Sequence, residues 1–212
     1  MAVPAIVLLG PPASGKGTQG RFLAKRFGLS YFSTGRQLRR ELKAGSALGR
    51  KAEPFLENGR YVPDELALSL VIDWIEAECR GWVLDGFPRT VPQADQLDGL
   101  LGAECAILQA FLLEAPVEDL ERRVLERREC TSCSWTGTKL QAEKSGGLCP
   151  TCGGQLGQRE DDELANFRQR RQEFEELTLP VADYYEQSGR LRRVCGTGRP
   201  DEVFSRLQSN LA

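Results

Sequence analysis

The 212-residue chain contains no histidine, a single methionine and only 8% aromatic residues. Without an imidazole, catalysis by a histidine base is excluded, and any metal must be held by cysteine, aspartate or glutamate. Long apolar runs are also missing, since AIVLLG and CAILQAFLLEA are much shorter than the run of about 20 residues that spans a bilayer. The N-terminus lacks a basic region followed by a signal-type apolar segment, so the expected location is the cytoplasm.

Charge of one sign is not in excess either. The chain has 28 Lys and Arg against 30 Asp and Glu, a formal net charge of -2. This balance gives no overall attraction to nucleic acid or to an anionic membrane, and neither is expected as a partner. A chain of this length with 41% hydrophobic residues can bury a sizeable core.

Four of the seven cysteines form two C-x-x-C pairs that are fifteen residues apart: Cys130, Cys133, Cys149 and Cys152. This spacing is typical of a structural zinc site, and four thiolates would leave no open position on the metal. Two disulfides or four unliganded thiols are the alternatives, but the odd total and the paired spacing favour a metal in a reducing compartment. Cys79, Cys105 and Cys195 lie in apolar stretches and are predicted to be core residues.

Apolar and helical patterns alternate along the chain. Strands are predicted at 5–10, YFST, WVLDG, 106–113 and RLRRVCG, and helices at 16–27, 63–79, 91–101, 161–187 and 201–211. Strands that alternate with helices predict parallel strands joined by crossovers, hence a doubly wound α/β core. Between 129 and 158, Gly, Ser, Thr and Cys replace the apolar periodicity, which indicates a small inserted module.

The segment GPPASGKGTQ, residues 10–19, has the features of a phosphate-binding loop. Its glycines let backbone N–H groups approach a phosphate, and Lys16 and the following helix add positive charge. The common loop has a hydroxyl directly after the lysine, whereas here Gly17 takes that position and Thr18 follows. WVLD ends in Asp85, the residue type that orients magnesium in such sites. A ligand-free turn and a capping Asp are the alternatives, but Lys16 and Asp85 together favour nucleotide binding.

Several separated motifs resemble the adenylate kinase family over nearly the whole chain. GKGTQ is that family's form of the loop, with the hydroxyl at Thr18. FSTGRQLR resembles S-T-G-D-x-L-R, ENGRYVPDELAL resembles G-x-x-V-x-D-E, and LDGFPRTVPQAD matches D-G-F-P-R-T-x-x-Q-A at every defined position. RRVLERRECTSC, QREDD and RQRR match the lid arginines and the lid boundary. The resemblance implies one P-loop kinase core over 1–212, with a helical nucleoside-monophosphate-binding insertion at 33–62 and a zinc-binding lid at 125–162.

The family resemblance also implies an activity: transfer of the terminal phosphoryl group of ATP to AMP by a monomer, with Mg²⁺ and a structural Zn²⁺. The residues implied to hold the ATP phosphates and Mg²⁺ are Ala13, Ser14, Gly15, Lys16, Gly17, Thr18 and Asp85, with Gly198 near the adenine. Those implied to surround AMP are Thr34, Arg39, Arg60, Tyr61, Val62, Gly86, Phe87, Pro88, Arg89 and Gln93. Those implied to act on the transferring group are Lys16, Arg89, Arg123, Arg127, Arg159 and Arg170.

Arginines suit this chemistry, because phosphoryl transfer depends mainly on positioning and charge stabilisation. Arg123 and Arg127 are four apart and are expected on one helical face. Arg159 and Arg170 are eleven apart and would share a face if one helix spanned both. On spacing alone, a solvated helix with Asp119 paired to Arg123 is the simpler interpretation; the family motifs favour the catalytic one.

Three positions depart from the family's pattern. Ala13 stands where the loop usually has glycine, and WTGT follows the first cysteine pair where an aromatic residue and a histidine are usual. Arg36 replaces the acid of S-T-G-D and would crowd Arg39 and Arg40 on one helical face, at a cost of about several tenths of a kcal/mol. We expect the phosphate of bound AMP to relieve this crowding.

Three other functions compete with this reading. One is a kinase for UMP, CMP or GMP, and another is a catalytically weak nucleotide-binding protein whose zinc module recruits a partner. A zinc-ribbon nucleic-acid ATPase is the third, and the acidic balance and the DGFPR motif argue against it.

Overall fold

The computed structural model describes residues 3–77, 81–159 and 161–211. The strands are β1 (Val3–Leu9), β2 (Ser30–Ser33), β3 (Trp82–Asp85), β4 (Ala106–Glu114), β5 (Arg127–Cys130), β6 (Thr136–Thr138), β7 (Leu156–Gly157) and β8 (Leu191–Cys195). The helices are α1 (Lys16–Phe27), α2 (Thr34–Lys43), α3 (Ala47–Glu57), α4 (Asp64–Ala77), α5 (Val91–Cys105), α6 (Val117–Glu126), α7 (Lys139–Lys144), α8 (Leu164–Glu173), α9 (Leu179–Gln187) and α10 (Pro200–Gln208). A π-helical turn, Phe174–Thr178, joins α8 to α9.

Five parallel strands form the main sheet, in the order β2-β3-β1-β4-β8. The predicted doubly wound α/β fold is therefore confirmed. Leu8 of β1 pairs with Asp85 of β3 and with Phe111 of β4, and Ser33 of β2 also pairs with Asp85. The carboxyl ends of these strands thus meet at one edge, beside the point where the strand order reverses, which is where ligands bind in open α/β sheets.

Both faces of this sheet are buried, as a parallel sheet requires. Val7 and Leu9 of β1 pack on one side with Leu84 and Leu112, whereas Leu8 packs on the other. The apolar run AIVLLG is continuous because alternate side chains enter two different cores.

A second, antiparallel sheet has the order β6-β5-β7 and contacts α7. It lies in the segment 127–157, where apolar periodicity vanishes in the sequence. The described residues contain no helix that is long and apolar enough to cross a membrane.

The predicted long helix at 161–187 is wrong in its first part. Helix α8 begins at Leu164, so Arg159 precedes it and does not share a helix with Arg170. The backbone turns instead, with the Asp162 N–H donating to the Arg159 carbonyl at 3.1 Å. Aspartates favour such turns over helix interiors, and here they also bind arginine side chains.

The expected shared helical face of Arg123 and Arg127 is also wrong. Helix α6 ends at Glu126, and Arg127 has an extended backbone with φ -61° and ψ 136°, where β5 begins. Arg123 does not pair with Asp119 either, since the partner of Asp119 is Arg122, at 2.6 Å.

One cysteine prediction fails. Cys195 is exposed, because it ends β8 on a strand whose side chains are mostly exposed. Cys79 lies outside the described residues, as does the side chain of Cys105.

Candidate functional site

The loop between β1 and α1 is a tight turn with left-handed backbone at three places. Gly10 has φ 144°, Ala13 has φ 63° and Gly15 has φ 102°. A Cβ on Gly10 would lie 2.6 Å from the Leu113 carbonyl oxygen, so only glycine fits there. The Thr18 N–H donates to the Gly15 carbonyl at 3.0 Å, which starts α1. The loop therefore leads directly into a helix N-terminus, whose first N–H groups have no partner within the helix.

Lys16, the first residue of α1, folds back over this loop. Its Nζ donates to the carbonyl oxygens of Gly10 at 2.6 Å and Pro11 at 2.9 Å. Burial lowers the pKa of Lys16 to about 8, and the negative charge of Asp85 only partly opposes this effect. The ammonium is thus desolvated and held against the backbone of the loop.

An open cleft with a cavity volume of about 420 Å³ lies above the carboxyl edge of the sheet. The predicted site residues that line it are Ala13, Ser14, Gly15, Lys16, Gly17, Thr18, Arg39, Arg60, Tyr61, Val62, Asp85, Gly86, Pro88, Arg89, Arg123, Arg127, Arg159, Arg170 and Gly198. Thr34, Phe87 and Gln93 are instead buried and are not among the residues that line it. The structure therefore brings all the predicted catalytic residues to one cavity.

Gln93 uses both ends of its buried amide within the protein. Its Oε1 accepts from the Arg89 backbone N–H at 2.7 Å, and its Nε2 donates to Asp64 Oδ1 at 2.7 Å. Gln93 thereby supports the backbone of Arg89. Thr34 differs, since its buried hydroxyl has no hydrogen-bond partner among the described residues.

Cleft arginines on α2, β5 and α8 are held by carboxylates. Arg127 forms a two-pronged contact with Asp162, in which Nε donates to Oδ2 at 2.6 Å and Nη2 donates to Oδ1. Arg170 Nη2 donates to Asp161 Oδ2 at 2.5 Å, and Arg39 Nη1 lies 3.7 Å from the same oxygen. Planar guanidinium groups held by such charge-assisted bonds present fixed positive charge to the cavity.

Two further arginines are held mainly by backbone oxygens. Arg123 Nη2 donates to the Gly196 carbonyl at 2.8 Å. Arg89 Nε donates to the Gly86 carbonyl at 2.8 Å, and its guanidinium lies 4.2 Å from the centre of the Tyr61 ring. Carbonyl and ring contacts leave the full positive charge of both groups available to an anion.

Several functional residues were missed by the sequence reasoning. Asp161 and Asp162 lie within QREDD, which marked a lid boundary but suggested no role for its carboxylates. Glu129 accepts a hydrogen bond from Arg159, and only its position beside Cys130 distinguishes it in the sequence. Gly196 was also missed; a Cβ there would lie 3.1 Å from the Ser14 carbonyl oxygen.

The four paired cysteines form a cluster at the tip of the antiparallel sheet. Their sulfur atoms all lie within 4.8 Å of one another, with 3.5 Å between Cys130 and Cys152 and 3.6 Å between Cys133 and Cys149. A disulfide needs about 2.05 Å, whereas tetrahedral zinc with Zn–S bonds of about 2.3 Å separates its sulfurs by about 3.8 Å. The cluster therefore fits a four-thiolate metal site and not a pair of disulfides.

Comparison with known protein families shows to which family the chain is related. The family model described as adenylate kinase matches residues 8–190. The chain belongs to the adenylate kinase family. It is 40% identical to an adenylate kinase of Carboxydothermus hydrogenoformans, over 97% of this chain and 98% of the relative. Adenylate kinases of Syntrophobacter fumaroxidans and Kosmotoga olearia are also 40% identical, over 97% and 96% of this chain and 99% of each relative.

As a member of the adenylate kinase family, the chain departs from its pattern at positions that the structure places in or near the cleft. Ala13 has a left-handed φ, a conformation that glycine adopts without steric cost. This explains why the family usually has glycine at this position. Arg36 Nη1 lies 3.4 Å from the Ser134 carbonyl oxygen and Arg39 faces Asp161, so these two arginines have separate partners. The WTGT segment supplies cleft-lining residues, Thr136 and Gly137.

Proposed function

We propose that this chain transfers the terminal phosphoryl group of ATP to AMP and forms two molecules of ADP. The observation that carries the proposal is the convergence of Lys16, Asp85 and the predicted catalytic arginines on one cleft. Membership of the adenylate kinase family supports the same reaction.

The reaction needs no general base. A phosphate oxygen of AMP attacks the terminal phosphorus of ATP, and the bond from that phosphorus to the bridging oxygen of ADP breaks. The second pKa of a phosphate monoester is about 6, so the attacking oxygen is already ionised at neutral pH. The absence of histidine is consistent with this chemistry, and charge neutralisation becomes the main task of the protein.

The arginines perform that task on both sides of the transferring group. We propose that Arg39 and Arg89 bind the AMP phosphate, and that Lys16 exchanges the Gly10 and Pro11 carbonyls for ATP phosphate oxygens. Arg123, Arg127, Arg159 and Arg170 stabilise the charge that spreads over the transferring oxygens. Fixed guanidinium groups need little reorganisation when that charge develops.

Two metal ions complete the proposal. Asp85 and Thr18 offer oxygen ligands in the cleft, a donor type that suits Mg²⁺, and they would hold it or its waters. When bound, Mg²⁺ would neutralise part of the charge of the phosphates. The cysteine cluster would hold a structural Zn²⁺ with no open position.

We propose that residues 33–62 form the AMP-binding insertion and residues 125–162 form the lid. Three contacts between the two segments support their meeting over the cleft. Arg36 reaches the Ser134 carbonyl, Lys43 Nζ lies 3.5 Å from the Thr131 carbonyl oxygen, and Arg39 pairs with Asp161. Bringing the two segments together over the cleft would exclude water, the competing acceptor.

We also propose that the chain acts as a monomer in the cytoplasm and binds no nucleic acid. One chain supplies all the cleft residues described above, and thiols with metal-binding geometry suit a reducing compartment.

The test is ADP formation from Mg·ATP with AMP, UMP, CMP or GMP as separate acceptors. The expected result is turnover that is fastest with AMP and is lost in Lys16→Ala. Equal or faster turnover with another monophosphate would identify a different acceptor. Saturable binding of ATP and AMP without turnover would overturn the proposal in favour of a nucleotide-binding protein.

A further inference from the structure

We infer that Tyr31 is a positioning residue for the reaction, and that its hydroxyl fixes the orientation of the Asp85 carboxylate beside the phosphate loop. The Tyr31 Oη donates to Asp85 Oδ2 at 2.8 Å, and both residues line the cleft. This inference rests on the proposed function, because Asp85 is the carboxylate that would hold Mg²⁺ or its waters.

The sheet register accounts for this contact. Tyr31 pairs with Val83, and Asp85 lies two residues beyond Val83 on β3. Side chains two residues apart on a strand share a face, so the tyrosine ring and the carboxylate lie on the same side of the sheet. Tyr31 packs there with Leu23 and Val83, in the core between the sheet and α1.

Two glycines of α1 leave room for the ring and its hydroxyl. A Cβ on Gly20 would lie 2.4 Å from Tyr31 Cε2, a distance at which the ring would have to move. A Cβ on Gly17 would lie 3.4 Å from both Tyr31 Oη and Asp85 Oδ2. A serine or threonine hydroxyl at position 17 would extend from that Cβ into space beside this hydrogen-bonded pair.

The position directly after the lysine therefore has a hydroxyl beside it, in addition to the family's hydroxyl at Thr18. Where the common loop has a Ser or Thr directly after the lysine, this chain has Gly17 with the hydroxyl of Tyr31 next to it. In the bond to Asp85 the phenol is the donor and the carboxylate oxygen the acceptor.

The test compares Tyr31→Phe with Tyr184→Phe. Tyr184 makes the same kind of bond, from its hydroxyl to Asp98 Oδ2 at 2.8 Å, outside the residues that line the cleft. Mn²⁺ affinity is measured by electron paramagnetic resonance in the presence of a non-hydrolysable ATP analogue, alongside kcat and the KM for AMP. We expect Tyr31→Phe to weaken Mn²⁺ binding and to lower kcat, each by about tenfold, with an unchanged KM for AMP. Tyr184→Phe should match the wild type.

A double-mutant cycle tests whether Tyr31 acts through Asp85. In an Asp85→Ala background, Tyr31→Phe should change Mn²⁺ affinity by less than about twofold. Wild-type Mn²⁺ affinity in Tyr31→Phe would overturn the inference, as would an equally large effect in both backgrounds. An inactive wild-type protein would instead refute the proposed function, so the two failures are distinguishable.

Discussion

Glu129 accepts a hydrogen bond from Arg159, an arginine that lines the cleft, so a carboxylate lies beside the positive charge of the cleft. Burial alone would raise the pKa of Glu129, but the hydrogen bond and charge of Arg159, together with Arg39 and Arg127, lower it to about 2. The carboxylate is therefore ionised at neutral pH. It holds Arg159 in place and also neutralises part of the positive charge that attracts nucleotides.

Glu129→Gln separates these two effects. The cleft gains one unit of positive charge, so we expect ATP to bind a few times more tightly, whereas kcat should fall by about tenfold because Arg159 loses a charged partner. Initial rates over a matrix of ATP and AMP concentrations give both values. The matched control is Glu121→Gln, which removes a surface partner 3.6 Å from Arg168. An unchanged kcat in Glu129→Gln would show that Arg159 does not need this partner.

Ala13 has φ 63°, a conformation that costs a residue with a Cβ about 1–2 kcal/mol. Ala13→Gly removes this strain but makes the unfolded chain more flexible, so we expect a net gain of about 0.5–1 kcal/mol in the free energy of unfolding. Denaturant titration measures it. Ala165→Gly, the same change at an exposed position in α8, should instead lower that free energy by about 0.5–1 kcal/mol. Destabilisation by both variants would rule out strain at Ala13.

The parallel sheet was predictable from the sequence because its strands are short apolar runs that alternate with helical patterns. Lys16 follows one such run and Asp85 ends another, so both could be placed at one edge of the sheet. The motif around DGFPR led to Arg89 being expected in the site. The structure adds the Gln93 amide that supports the backbone of Arg89.

The environment of Arg127 and Arg159 could not be predicted. A spacing of four or eleven residues defines a shared face only if a helix continues, and the chain leaves α6 before Arg127 and enters α8 after Arg159. Arg127 pairs with Asp162 and Arg159 pairs with Glu129, and the two residues of each pair are far apart in the sequence. Local periodicity contains no information about such pairs.

The cysteine cluster supports two of the cleft arginines. Arg127 lies on the same strand as Cys130, and Arg159 is bound by Glu129 on that strand. A segment this polar and small would depend on a bound metal for stability. We expect Cys149→Ser to lose its zinc, to speed amide hydrogen exchange over 127–157 and to lower kcat by about tenfold or more.

Cys195→Ser is the control for this change, because Cys195 is exposed and lies outside the cluster. It should retain one zinc per chain, measured by atomic emission, and wild-type activity. Full activity in a zinc-free Cys149→Ser protein would contradict a structural role for the metal.

The pKa of Lys16 predicts how nucleotide affinity depends on pH. Its ordinary value is 10.5, and burial lowers it to about 8, so the ammonium of the free protein loses its proton as the pH rises through 8. A bound phosphate favours the charged form of Lys16, so binding raises this pKa. The affinity for phosphate therefore falls as the pH rises above the pKa of the free protein. We expect the Kd for a non-hydrolysable ATP analogue to increase by about tenfold between pH 7 and 9.

Lys16→Arg provides the control, because a guanidinium keeps its proton throughout this range. Its Kd should be higher than that of the wild type at pH 7 but nearly constant up to pH 9. The analogue is titrated calorimetrically without AMP, so that only binding on the ATP side is measured. A wild-type Kd that is constant from pH 7 to 9 would mean that Lys16 keeps its proton in the free protein. Its desolvation by burial would then be offset by its carbonyl partners and Asp85.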